Sequence, residues 1–160
     1  AKSAREVYLP EGQWMDAWTG RIEEGSNFVL AQSGPTRIPA YLRVGAIIPT
    51  TDYKMSTQHQ DKRWTLNLIH CTEVDFSFRD DDGVTFNYQN GKRFTLSGHV
   101  RQLNNNKISI DVQVKSVGYQ PPWQVLELRM PEQWKSYSVA INSPQQFDIR
   151  TRFDGVHFNL

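Results

Sequence analysis

Apolar residues recur at every second position along much of this chain, and no segment of ten or more residues carries them at the 3.6-residue period of a helix. The clearest case is Ile108, Ile110, Val112 and Val114, set against Ser109, Asp111, Gln113 and Lys115. Trp64, Leu66 and Leu68 alternate with Thr65 and Asn67, and Val74, Phe76 and Phe78 with Asp75 and Ser77. Each set predicts a half-buried strand, because successive side chains of a strand point to opposite faces. Val125 to Met130 predicts a further strand, as do Tyr137, Val139 and Ile141. Asp154-Gly155 predicts a closing two-residue hairpin pairing Phe153 with Val156, with Phe147, Ile149, Phe158 and Leu160 on the same face. Asn90-Gly91, between Phe86-Asn87-Tyr88 and Phe94-Thr95-Leu96, predicts another hairpin.

The first third reads as short strands, Val7 to Leu9, Gln13 to Trp18 and Phe28 to Leu30, separated by turns at Pro10-Glu11-Gly12, Thr19-Gly20 and Ser33-Gly34-Pro35. Turn signals every eight to twelve residues belong to a meander or sandwich. The most apolar passage runs from Arg37 to Pro49. Pro39 and Pro49 confine it to one short buried strand, since proline cannot donate to a central ladder. Gly45 marks a bulge or a close backbone approach. Arg43, a guanidinium among aliphatic neighbours, needs a carboxylate or carbonyl partner if buried, and a clamp between sheets is the expectation. From Thr50 to Lys62 the chain turns polar, which predicts a loop or linker. The fold class is therefore all-β, two small antiparallel β-sandwich units packed together, with residues 1–62 as the first and residues 63–160 as the second.

Composition changes this picture little. Of 160 residues, 38% are hydrophobic and 22% charged, values of an ordinary globular chain long enough to close a core. A net charge of +1 supplies no basic footprint for nucleic acid or an anionic membrane. No apolar run approaches the roughly 20 residues that a membrane-spanning helix needs. A single cysteine, Cys71, forms no internal disulfide and builds no thiolate metal site by itself. The chain opens without methionine on what reads as the approach to a strand, the expectation for a piece of something larger.

Three groups of side chains bear on chemistry. Asp80, Asp81 and Asp82 ahead of Gly83 are a weak candidate for a cation, lacking the spaced ligands of a calcium loop, and a solvated turn is the alternative. Trp123, after Pro121-Pro122, and Trp134, between charged neighbours, are expected to be exposed and to offer an indole face to a sugar ring. Trp14, Trp18 and Trp64 fit a core or interface better. His59, His70, His99 and His157 show no ligand spacing, and no nucleophile elbow or phosphate-cradling loop is present. The residues define a β protein without a visible active site, and no cofactor is implied.

Taken together, Val7-Tyr8-Leu9-Pro10-Glu11-Gly12-Gln13-Trp14, Trp18-Thr19-Gly20, and Ile38-Pro39 with Arg43-Val44-Gly45-Ala46-Ile47-Ile48-Pro49 resemble the segment that follows the catalytic barrel in glycoside hydrolase family 31. That family includes α-glucosidases and α-xylosidases. Phe76 to Gly83 and Tyr88 resemble its distal domain, where the usual run is Tyr-Glu-Asp-Asp-Gly; Arg79 and Asp80 depart from it. The resemblance implies the proximal and distal C-terminal β-sandwich domains of such an enzyme. The family's catalytic aspartates lie in its (β/α)₈ barrel, and no position here matches their motifs, whereas retaining chemistry needs two carboxyl groups about 5 to 5.5 Å apart. The implied role is accessory and non-catalytic: a surface that stabilises the barrel, with Trp14, Trp18, Arg43 and Gly45 as structural or interface residues. The alternative is a carbohydrate-binding module that holds oligosaccharide through Trp123 and Trp134. The resemblance also implies a missing strand ahead of Val7, which leaves the first sheet with an open edge.

Overall fold

The strands are β1 (Ser3–Leu9), β2 (Gln13–Asp16), β3 (Ile22–Glu24), β4 (Asn27–Ser33), β5 (Tyr41–Arg43), β6 (Ile47–Thr51), β7 (Arg63–Leu68), β8 (Glu73–Asp80), β9 (Arg93–Leu103), β10 (Lys107–Val117), β11 (Val125–Arg129), β12 (Ser138–Asn142) and β13 (Asp148–Arg152). This is a computed structural model, and it describes residues 3–35, 37–53, 55–56, 62–70, 72–103, 106–143 and 147–154. Two 3₁₀ turns, Phe86–Asn90 and Glu132–Trp134, are the only helical segments among the described residues. The protein is nearly all-β, as its period of two predicts.

Residues from Ile47 onward build a sandwich of two four-stranded sheets, ordered β12-β10-β9-β8 and β13-β11-β7-β6. The alternating positions meet between them: Val74, Phe76, Phe94, Leu96, Val100, Ile108, Ile110 and Val112 from one sheet, Leu66, Leu68, Leu126 and Leu128 from the other. Each buried Leu, Ile or Phe contributes about 1.5–3 kcal/mol of transfer free energy, so this core is the main source of stability. Most pairings are antiparallel, but β10 runs parallel to β12, and β11 parallel to both β7 and β13. Central strands β7 and β11 are covered on both faces. On the side away from the core, the Asn67 amide donates to the Ile48 carbonyl at 2.8 Å and to Thr50 Oγ1 at 2.9 Å. Buried Glu127 stands among the guanidinium groups of Arg63, Arg129 and Arg152 at 3.9, 3.9 and 3.7 Å. Both polar groups therefore have the partners that burial demands.

The first 43 residues form two smaller sheets, a β1-β4 ribbon and a three-stranded sheet ordered β3-β2-β5. Strand β3, with only Ile22 to mark it, carries too short a pattern to be legible in the sequence.

Several local expectations are corrected. The passage from Arg37 to Pro49 is two strands in two sheets: β5 pairs with β2, and β6 with β7. Between them, the Ala46 amide donates to the Arg43 carbonyl at 3.1 Å, and Gly45 sits at φ +81°. Positive φ at the third residue alone makes this a type II turn, which selects glycine there. Neither a bulge nor a close approach explains Gly45, since nothing lies within 4 Å of where its Cβ would be. Pro49 lies inside β6, which is tolerated because β6 is the edge of its sheet. Strand β6 takes in Thr50 and Thr51, the first two residues of the polar stretch expected to be a loop, and hydrogen-bonds to β7, beyond that stretch.

Asn90-Gly91 is not a hairpin turn. Gly91, at φ 78°, caps the 3₁₀ turn Phe86–Asn90, and its amide donates to the Tyr88 carbonyl. The closing hairpin beyond Asp154, with Val156, Phe158 and Leu160, lies outside the described residues, as do Cys71, His59 and His157.

Candidate functional site

The surface of the first 43 residues carries the features that a docking or binding role requires. In the β1-β4 ribbon the register pairs Tyr8 with Phe28 and Glu6 with Leu30, which puts these side chains on one face. Leu9 and Ala31 on the other face are buried, but Tyr8 is 53% exposed, Phe28 63% and Leu30 72%. The two rings touch at 5.2 Å between centroids. An apolar sheet face of this kind is what a partner surface covers. Among the described residues the ribbon pairs with no third strand, so both its edges are open.

Beside the ribbon lies a polar corner built on Trp18. Asp16 ends β2, and its Oδ1 accepts from the amides of Trp18 at 2.8 Å and Thr19 at 3.0 Å, a side-chain-closed turn. The Trp18 indole donates to the Ile38 carbonyl at 2.7 Å, and the Arg37 guanidinium lies 5.5 Å over its ring. Arg37 also reaches Asp16 at 3.7 Å. Asp16, Thr19 and Arg37, with Arg21, Glu23 and Tyr41, line a cavity of about 240 Å³. Burial, helped by the Asp16 and Glu23 carboxylates, pushes the Tyr41 phenol up from its usual pKa. Trp14, half-buried one turn away, donates to the Pro10 carbonyl at 2.8 Å.

Arg43 does not clamp sheets. It is exposed, has no carboxylate partner among the described residues, and lies against Gly12, whose Cβ would stand 3.6 Å from its Nη2. A guanidinium this wet needs no buried partner, and the neighbouring Arg37 has the ring and the carboxylate instead. Sequence offered no way to choose between them, because both border the same apolar residues, Ile38 to Leu42.

Trp123 and Trp134 are each 1% exposed, which overturns their expected place on the surface. Pro121-Pro122 turns the chain inward, so that the Trp123 indole packs against Phe94 at 5.1 Å and Phe147 at 4.8 Å. Its Nε1 donates to Asp80 at 2.7 Å. Trp134 stacks on Tyr137 at 6.5 Å. Indoles this deep offer no face to a sugar. Exposed rings lie elsewhere, among them a pair in the connection from β8 to β9: Phe86 at 74% and Tyr88 at 43%, 6.3 Å apart.

That connection is held by its own carboxylates. Asp82 accepts from Thr85 Oγ1 at 2.6 Å and from the Thr85 and Val84 amides at 2.9 and 3.1 Å. These bonds, the Thr85 hydroxyl first, hold its pKa down at about 2. Asp81 accepts from the Gly83 amide at 2.8 Å. With Asp80 engaged by Trp123, the three aspartates face different donors rather than one cation, and among the described residues no group of three His, Cys, Asp or Glu side chains is placed to hold a metal. His99 sits between Asp75 at 2.7 Å and Glu73 at 3.1 Å on the outer face of the sandwich. His70 is exposed.

The description of the glycosyl hydrolase family 31 C-terminal domain matches residues 1–48, the span that holds the ribbon and the Trp18 corner. α-Glucosidase 2 of Bacillus thermoamyloliquefaciens is 32% identical over 124 residues, which cover 76% of this chain and 15% of that protein. The α-xylosidase of Saccharolobus solfataricus is 30% identical over 96 residues, 58% of this chain and 13% of that protein. The family 31 dextranase of Flavobacterium johnsoniae, solved with glucose, shares the fold at a TM-score of 0.67 and 21% identity, over 79% of this chain and 17% of that one. The chain thus spans about a seventh of the curated relatives it matches. It is similar to the C-terminal domain of glycosyl hydrolase family 31 over residues 1–48, and to glycosidases such as α-glucosidase 2 over about three quarters of its length.

Proposed function

We propose that this chain is the non-catalytic accessory region of a retaining α-glycosidase, and that it docks on the catalytic (β/α)₈ barrel of its parent and stabilises it. The observation that carries the reading is the exposed apolar face of Tyr8, Phe28 and Leu30, in the segment that matches the family. Trp14 and Trp18 stiffen the adjoining sheet through their indole hydrogen bonds. In this reading the chain divides into a proximal unit, with its boundary in the polar stretch ending at Lys62, and a distal sandwich, with β6 shared across the division. The relatives named as an α-glucosidase and an α-xylosidase support a parent that hydrolyses α-glycosidic bonds.

The test is Phe28→Asp with Leu30→Asp in the full-length enzyme and in this chain alone. Docking predicts that the thermal midpoint of the full-length enzyme falls by several degrees while that of the chain alone stays put. Equal midpoints with and without the substitutions in both proteins would overturn it. Turnover of 4-nitrophenyl α-glucoside by the purified chain would overturn the non-catalytic part.

A second reading, a module that holds oligosaccharide, is favoured by the exposed Phe86 and Tyr88 rings on their hydrogen-bonded loop. It predicts saturable binding of gluco- or xylo-oligosaccharides that is lost in Phe86→Ala, and flat titrations of the unsubstituted chain would exclude it.

A further inference from the structure

Strands β8, β9 and β10 place three cations on one outward face. The register sets Arg79 opposite Thr95, Thr95 opposite Lys115, and Arg93 opposite Val117. Because Phe94 and Leu96 point into the core, Arg93 and Thr95 point out. Arg79 and Lys115 therefore flank Thr95 about 10 Å apart, two strand spacings, with Arg93 two residues along. Together with Gly91, Thr95 and Val117 they line a cleft of about 390 Å³, within the size range of small-ligand sites.

Several other arginines of this chain are paired: Arg21 with Glu23, Arg63 with Asp52, Arg129 and Arg152 with Asp154, and Arg150 with Asp148. Arg79, Arg93 and Lys115 have no side-chain hydrogen bond or ion pair among the described residues, although they share one cleft. Cations gathered round one cleft repel one another, and an anion seated between them reverses the sign of that interaction. Of the nearby aspartates, Asp81 accepts from the Gly83 amide, Asp82 from the Thr85 and Val84 donors, and Asp80 from the Trp123 indole.

We infer that the cleft at Gly91 is an anion site that takes a multivalent oxyanion, a phosphate or sulfate group, either free or as an ester on a sugar. A guanidinium fork binds such a group through two parallel N–H donors, and Lys115 adds a point charge from the opposite wall. The Thr95 hydroxyl, at the floor between them, is a further donor.

The experiment is an NMR titration of the full chain with inorganic phosphate and, separately, with a hexose monophosphate. The expected result is saturable shifts at Gly91, Thr95 and Lys115, with Kd raised at least about tenfold in Arg93→Gln/Lys115→Gln. Arg150→Gln, an exposed and ion-paired arginine in the other sheet, leaves Kd unchanged. All the substituted residues are exposed, so the variants keep the parent's thermal midpoint. Tighter binding of the hexose ester assigns the sugar-borne anion, and equal binding assigns the free ion; both uphold the site. Shifts spread evenly over every surface cation, or a Kd indifferent to the double substitution, would overturn it.

Discussion

Trp123 separates a sugar platform from a structural core most sharply, and Trp123→Ala is the perturbation that tests it. The indole is 1% exposed, edge-on to Phe94 at 90° and tilted at 32° on Phe147. Truncating a buried Trp to Ala costs about 3–5 kcal/mol through lost transfer free energy and the cavity left behind. Trp123→Phe keeps most of the ring packing but removes the Nε1 donor to the Asp80 carboxylate, a charge-assisted bond worth about 1.5–3 kcal/mol. With an urea slope of about 2 kcal/mol per molar, the alanine variant should unfold at a midpoint roughly 2 M lower and the phenylalanine variant roughly 1 M lower. Unfolding should be followed by far-UV circular dichroism, because the substitution removes a fluorophore. The chain's total stability, about 8–24 kcal/mol by its length, leaves the alanine variant folded enough to assay. A midpoint unchanged in Trp123→Ala, together with selective loss of oligosaccharide binding, would refute the core assignment.

Gly25→Ala should destabilise by at least about 1–3 kcal/mol, because its Cβ would stand 1.8 Å from the Pro10 carbonyl oxygen and 2.6 Å from that of Gly12, both backbone atoms that cannot swing away; a midpoint shift under about 0.5 kcal/mol would count against the close approach of the two turns. Asp82 should titrate near pH 2 by carbon-detected NMR. Its folded pKa lies below the unfolded 3.8, so its contribution to stability is present above pH 3.8 and is lost as pH falls toward 2, and titration at the ordinary value would contradict the Thr85 hydrogen bonds. Burial first, and then the Asp80, Asp81 and Asp82 charges, push the Tyr119 phenol up to about 12. The unfolded chain ionises first there, so stability falls as pH rises from 10 through 12, and phenolate absorbance of the folded protein should show one tyrosine ionising late.

Much of the sandwich was legible because its strands repeat a two-residue period over many positions. Ile108 to Val114 and Val74 to Phe78 fall on their predicted faces, and β10 extends through all 11 residues from Lys107 to Val117. Short segments were less legible. Ile22 to Glu24 holds too few residues to show a period, and Phe86 to Asn90 looked like half of a hairpin until Thr85 and Gly91 capped it as a 3₁₀ turn. Of the proposed functional surfaces, the apolar residues Tyr8, Phe28 and Leu30 could be read off, but their exposure could not. The cation cleft was invisible, since Arg79, Arg93 and Lys115 lie 14 and 22 residues apart and meet only through strand register.

By itself, then, the sequence determined what depends on neighbours in the chain: all-β class, most strand positions, and the family-like turns around Pro10 and Gly20. Those features follow from local backbone preference and side-chain alternation, which act over a few residues. Tertiary structure alone decided which aromatic rings are buried, which arginine finds a carboxylate, and that the Arg37 to Pro49 passage is shared between two sheets. Burial and pairing depend on residues tens of positions away, so a tryptophan that follows two prolines can enter the core while a phenylalanine in a strand stays in water.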